Sequence, residues 1–146
     1  MKKELKDLAF HTMGIESAGV LAMLHRQSFP VEEVWDEQSF QSLLSIKGTE
    51  SKVACVNSDP VGFVLFRTFG DETEILTIGV LPHYRRCGIG RALIRALFNK
   101  GKVILEVSFS NFSAIYMYKS LGFSIIGKRS NYYKDGSDAH VMYYGS

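Results

Sequence analysis

The 146-residue chain sets 17 Lys and Arg against 15 Asp and Glu, for a net charge of +2, and is 46% apolar. That length suits one domain over residues 1–146, able to bury about two thirds of its unfolded surface without disulfide or metal staples. A charge this close to balance argues against a direct nucleic-acid partner, and no run approaches the ~18 apolar residues of a membrane helix. The opening residues 1–7 hold no apolar stretch to serve as a secretory signal, and Cys55 and Cys87 make no disulfide framework, so a cytoplasmic location is expected.

In chain order, Val20, Leu21, Leu24 and Phe29 recur at mostly helical spacing, which predicts a helix over residues 17–29 stopped by Pro30. Asp36 caps a second short helix through Phe40, Leu43 and Leu44. Residues 53–56, 61–69 and 75–81 are β-rich runs divided by Asn57-Ser58-Asp59-Pro60 and Gly70-Asp71, the pattern of an antiparallel meander. Gly79 inside the third run marks a bulge or a close backbone approach by a ligand. A helix over 92–99, a strand over 102–108, a helix over 111–121 closed by Gly122, and strands over 123–132 and 139–144 complete the chain. The class is α+β, or mixed α/β: a central, mainly antiparallel sheet flanked by helices, with a parallel pair only around the helix at 92–99. Exposed edges on the final strands leave a weak dimer open beside a monomer.

Between the third strand and that helix stands Arg85-Arg86-Cys87-Gly88-Ile89-Gly90-Arg91. Glycines at 88 and 90 let the backbone turn tightly and approach a ligand, and the first N–H groups of the helix point their partial positive charge at an anion. Three arginines add full charges. The segment lacks the Lys-Ser/Thr ending of a nucleoside-triphosphate loop and the three-glycine dinucleotide fingerprint. What remains, Arg-x-x-Gly-x-Gly, resembles the acetyl-coenzyme A pyrophosphate loop of the GNAT acetyltransferase superfamily. A second basic group, Lys128, Arg129 and Lys134, reads as solvated surface or as a greeting to an acidic or nucleic-acid-bound partner.

Glu106 interrupts the otherwise apolar Val103-Ile104-Leu105-Glu106-Val107, where a carboxylate is costly unless paired, solvated or useful. It either reaches water or an arginine at a strand end or serves catalysis, and the residues alone leave both open. Tyr118 shares a helix face with Ala114, Ile115 and Leu121, as a core tyrosine does. Asn111 at the helix start is an N-cap whose amide is also free to touch a ligand.

A closer resemblance rests on Ile78-Gly79-Val80, the loop at 86–91, Leu105-Glu106-Val107, Ser110-Asn111, Tyr118, Ser120-Leu121-Gly122-Phe123, and Asn131-Tyr132-Tyr133 followed by Gly136 and Asp138-Ala139. In order and nearly without gaps these resemble the bacterial ribosomal-protein alanine N-acetyltransferases. The resemblance implies a GNAT fold with a splayed parallel pair at the acetyl-CoA site, and transfer from acetyl-CoA to the α-amine of a protein, typically the N-terminal alanine of a small-subunit ribosomal protein. It assigns Glu106 as general base and Tyr118 as general acid. Ile78, Gly79 and Val80 match the strand holding the pantetheine and acetyl carbonyl. Arg86, Cys87, Gly88, Ile89, Gly90 and Arg91 match the pyrophosphate loop, with Arg85 beside it as a further coenzyme-binding candidate, and Asn111 and Tyr118 match further coenzyme contacts. Trp35, Tyr132 and Tyr133 fall where the acceptor peptide is bound, and no metal is called for. The chain departs from the family pattern where Val31-Glu32-Glu33-Val34 separates Pro30 from Trp35, lengthening the substrate-facing turn.

Elementary chemistry agrees with those roles. Amine attack on a thioester needs a proton acceptor, an N–H donor to the carbonyl and a weak acid for the thiolate, which Glu106, the Val80 N–H and the Tyr118 hydroxyl supply. An α-amine of pKa ~7.7–8.0 is about a tenth neutral at pH 7, against a few parts in ten thousand for lysine. Without a Cys-His or Ser-His pair, direct transfer in a ternary complex is expected. A GNAT enzyme for lysine or a small-molecule amine, and a non-catalytic acyl-CoA sensor, are the competing readings.

Overall fold

The computed structural model describes residues 7–145. Its elements are β1 (Leu8–Met13), α1 (Ala18–Ser28), α2 (Glu37–Leu44), β2 (Thr49–Val56), β3 (Asp59–Phe69), β4 (Glu72–Val80), α3 (Ile89–Arg95), β5 (Lys102–Ser108), α4 (Phe112–Ser120), β6 (Ser124–Arg129) and β7 (Ala139–Tyr144). The strands form one mixed sheet in the order β1-β2-β3-β4-β5-β7-β6. β1 with β2, β2 with β3, β5 with β7 and β6 with β7 pair antiparallel, while β4 and β5 are parallel. The expected mainly antiparallel sheet with one parallel pair is therefore observed. Internal contacts divide the chain into two compact units, one of residues up to Arg67 with Leu76–Ala96, the other of Thr68–Ile75 with residues from Leu97 onward.

In the first unit, Leu21 and Leu24 of α1, Phe40 of α2, Val53 of β2, and Phe63 and Leu65 of β3 form one buried cluster. Fully burying each such side chain is worth about 1.5–3 kcal/mol. Asp36 caps α2 as its sequence position predicts, accepting the Ser39 N–H at 2.9 Å. Asn57 and Ser58 both take positive φ, 51° and 70°, and so make the two-residue turn between β2 and β3. Asp59 and Pro60, expected in that turn, belong to β3 instead. Pro60 pairs with Cys55 beside a register shift, where its missing N–H breaks no regular ladder. β1 was not foreseen. Four of its six residues are exposed, so it shows no inside-outside alternation and owes its conformation to pairing with β2.

In the second unit, β5 alternates strictly: Val103, Leu105 and Val107 are buried, while Lys102, Ile104, Glu106 and Ser108 are half-buried. Two expectations need correction here. β6 ends at Arg129 rather than running to Tyr132, because Asn131 adopts φ 55° and turns the chain out of the sheet. β7 is not an edge but lies between β5 and β6, leaving β6 at the margin. Cys55 and Cys87 are free thiols. No helix among the described residues is long and apolar enough to cross a membrane.

Candidate active site

In the first unit, β4 carries the residues expected to hold the coenzyme. The parallel register with β5 runs from Glu72↔Lys102 to Glu74↔Ile104, whereas β4 itself continues to Val80, each residue from Leu76 onward half-buried. Gly79 lacks a side chain for a reason the sequence did not reveal. A Cβ there would stand 2.9 Å from Phe63 Cε1 and 3.0 Å from Phe29 Cε1, so the close approach belongs to the protein's own rings. The peptide after Val80 is fixed on both sides. Leu81 N–H donates to the Val61 carbonyl at 2.9 Å, and Arg85 Nε donates to the Val80 carbonyl at 3.0 Å. Arg85 Nη2 also donates to the Ser28 carbonyl at 2.8 Å, so its guanidinium ties the end of β4 to the end of α1.

The loop that follows turns twice through the left-handed region, at Arg86 (φ 62°) and Gly88 (φ 85°). A Cβ at Gly88 meets nothing within 4 Å, so glycine is required there by φ and not by space. Gly88 is the N-cap of α3, whose ladder begins with Ala92 N–H to the Gly88 carbonyl at 3.0 Å. The Ile89 and Gly90 amides stand ahead of that ladder in the position suited to phosphate oxygens. The Ile89 side chain is buried, so only its backbone is available to a ligand. Cys87 places its thiol 3.6 Å from the Arg85 carbonyl, a contact within the loop. α3 thus begins at Ile89, three residues before the predicted start, and its last expected turn becomes a separate short 3-10 helix, Phe98–Lys100.

Trp35 sits half-buried beyond the turn that follows α1. Its backbone N–H donates to Nδ1 of His25 at 3.2 Å, and its ring stacks with that imidazole at 5.2 Å between centroids. His25 is 1% exposed, and burial pushes its pKa down to about 4. His25 is not among the residues that the motifs single out. The available signal was spacing, since His25 follows Leu21 and precedes Phe29 by four residues each, on the buried stripe of α1.

That shift predicts a pH dependence of stability. Between pH 6.5 and 4 the unfolded chain takes up a proton that the folded chain resists, so stability falls as the pH is lowered through this window, by about 3 kcal/mol in total. Urea unfolding at pH 7 and pH 4 measures it. The loss should be smaller by about that amount in His25→Phe.

In the second unit Glu106 projects from the half-buried face of β5, its side chain 9% exposed and its Oε1 3.3 Å from Arg129 Nε. Burial raises its pKa, the Arg129 charge offsets part of that, and Glu74 raises it further. The carboxylate is thus both paired with an arginine and shifted toward proton acceptance, so the two sequence readings are not exclusive. Arg129, read from sequence as surface charge, also lies 5.6 Å from the Tyr132 ring. Tyr132 packs edge-on to Tyr133 at 4.9 Å, and its pKa is raised by burial and by the Glu106 charge. The segment bearing both tyrosines is held where Asp138 Oδ1 accepts the Asn131 N–H at 2.9 Å.

Tyr118 is 6% exposed on α4, and burial, with Tyr133 nearby, pushes its pKa up to about 12. At neutral pH it is a protonated phenol able to donate. Asn111 caps α4, its Oδ1 accepting the Ala114 N–H at 3.3 Å. Glu106, Arg129, Tyr132 and Glu74 therefore share one electrostatic neighbourhood, and Tyr118 with Tyr133 another within the same unit. Removing the Arg129 charge takes away the positive neighbour that holds the Glu106 pKa down. With Glu106 as the base the resemblance implies, Arg129→Gln should move the acid limb of the kcat/KM profile to higher pH, and the difference from the parent should shrink in high salt because Arg129 is 58% exposed.

Over 109 residues the chain is 37% identical to an N-alpha-acetyltransferase of Sulfurisphaera tokodaii, covering 62% of this chain and 65% of that protein. It is also 37% identical over 129 residues to the N-alpha-acetyltransferase RimI of Mycobacterium tuberculosis, covering 83% and 82%. The crystal structure of the ribosomal-protein-S18-alanine N-acetyltransferase from Escherichia coli superposes with a TM-score of 0.83 at 28% identity, covering 93% of this chain and 92% of that one. The model of the acetyltransferase (GNAT) family matches residues 20–123. The chain belongs to the GNAT acetyltransferase family.

Proposed function

We propose that this acetyltransferase transfers the acetyl group of acetyl-CoA to the N-terminal α-amine of a protein in the cytoplasm, with the N-terminal alanine of a small-subunit ribosomal protein as its foremost acceptor. The observation that carries the reading is Glu106: a half-buried carboxylate with a raised pKa, among Arg129 and the Tyr132-Tyr133 pair. A base of this kind suits an α-amine of pKa ~7.7–8.0, already about a tenth neutral at pH 7. The names of the relatives in Mycobacterium tuberculosis and Escherichia coli point the same way.

Acetyl-CoA, when bound, supplies the thioester. The residues present fit such a group: two left-handed residues shape the loop, open space faces Gly88, and Arg86 is exposed beside it. Ile78, Gly79 and Val80 would hold the acyl arm, residues 85–91 the pyrophosphate, and Asn111 and Tyr118 further parts of the coenzyme. Arg85 acts there also by fixing the Val80 carbonyl, and with it the direction of the β4 backbone. Glu106 would take a proton from the acceptor amine, and the Tyr118 phenol would hold a proton ready for the thiol side of the coenzyme. Trp35, Tyr132 and Tyr133 bind the acceptor peptide, and the whole chain works as one catalytic domain.

CoA release with a panel of peptides that differ only in the first residue, beside an N-acetylated control, tests this. Turnover should be fastest with free alanine and absent with the control. Equal turnover across all first residues would remove the alanine preference, and turnover of the control would remove the α-amine.

A further inference from the structure

We propose that His25 is a positioning residue for the acceptor peptide, a buried neutral imidazole that locks the Trp35 turn to β4. The proposal rests on the reading above, in which Trp35 meets the peptide. Its geometry lies wholly within the first unit.

The hydrogen bonds fix one tautomer. Because the Trp35 N–H donates to Nδ1 at 3.2 Å, Nδ1 carries no proton, so the proton of the neutral ring sits on Nε2 and faces Thr77 Oγ1 at 3.4 Å. One ring nitrogen therefore answers the turn and the other answers β4. The ring faces are equally committed: Phe29 stacks at 4.0 Å with planes 7° apart, Trp35 at 5.2 Å and 18°, and the Phe40 ring meets it at 5.5 Å and 66°. Phe29 also packs on Gly79, where any larger residue would displace it. Arg85 adds a parallel tie from Val80 to Ser28. The strand expected to hold the acyl group and the turn expected to hold the peptide are thus joined through His25, and Arg85 braces the same strand against the end of α1.

A packing role alone does not account for a histidine here. Leucine or phenylalanine would fill the same volume without the cost of burying two polar nitrogens, and that cost is tolerated only where both are hydrogen-bonded. A turn lengthened by Val31-Glu32-Glu33-Val34 has more conformations to exclude, and the Trp35 N–H has its acceptor on α1.

His25→Phe and His25→Asn separate position from packing. Phenylalanine keeps the ring and removes the acceptor, while the Asn Oδ1 stands near where Nδ1 was and accepts the Trp35 N–H again. In His25→Phe the peptide KM should rise about tenfold with the acetyl-CoA KM within about twofold of the parent, and His25→Asn should recover most of the difference. Trp35 is the single tryptophan, so its fluorescence reports the turn directly. Acrylamide quenching should increase in His25→Phe and return toward the parent in His25→Asn. Unchanged quenching and peptide KM in a folded His25→Phe would overturn the proposal. So would equal rises of both KM values, or an Asn variant no better than Phe. If His25→Phe does not fold, His25→Gln, which cannot place its oxygen at Nδ1, takes its part. A parent that acetylates no peptide would sink the functional reading instead, and the quenching comparison would still decide the role of His25.

Discussion

Glu106→Gln is expected to lower kcat by about 10²–10⁴-fold, the usual worth of a positioned general base, while acetyl-CoA still binds. The amide fills the same place on β5 but accepts no proton from the amine. The same substitution should not weaken the fold at neutral pH. Because burial raises the Glu106 pKa, the folded chain holds this proton more tightly than the unfolded chain. Stability therefore falls as the pH rises from the ordinary carboxylate range through the raised value, and above it the ionised group is a burden that glutamine lacks. A thermal melt at pH 8 should show a Tm equal to or above that of the parent. A Tm well below it would mean that the Arg129 pair holds the fold and that lost activity is lost structure. Tyr118→Phe should act more mildly, by about 10–100-fold in kcat, since a thiolate leaves readily without full protonation.

Gly101→Ala should be the most damaging single methyl group in the second unit, lowering stability by about 3 kcal/mol or more. Gly101 adopts φ 107° and ψ −130°, a region closed to side chains, and a Cβ there would collide with the Asp71 carbonyl oxygen. That oxygen accepts the Lys102 N–H at 2.8 Å, at the first pair of the parallel ladder. The alanine must either push Asp71 away or give up the start of β5. For a chain of this length the Tm should fall by about 10 °C, as calorimetry would show. Because β5 carries Glu106, activity should fall before the global melt. A variant as stable as the parent would contradict the backbone geometry at this turn.

The parts of the fold that were legible from sequence are those whose periodicity follows burial. β5 matches its predicted limits because apolar residues bury one face, and α4 is recognisable because Asn111 is a cap with an apolar run behind it. β1 was hidden because neither face is buried, so nothing constrains its composition. β6 was overdrawn because the aromatic Tyr132 and Tyr133 look like strand residues, whereas the positive φ of Asn131 is a matter of backbone conformation. The glycine loop was legible in motif, though the work of Arg85 on the Val80 and Ser28 carbonyls depends on a long-range approach. The partners of Glu106 were not legible either. Arg129 lies 23 residues away in sequence, and only the pairing of β6 and β5 with β7 brings it to the carboxylate. His25 combined both difficulties, being a polar residue on a buried stripe with partners at Trp35 and Thr77.

The site of acetylation can be read from the mass and fragmentation pattern of one peptide, with a free N-terminal alanine and an internal lysine, after incubation with the protein and acetyl-CoA. A single added acetyl group is expected, located on the α-amine and lost from the products when Glu106→Gln replaces the parent. An acetyl group on the lysine alone, with the α-amine untouched, would rule out the α-amine as the acceptor.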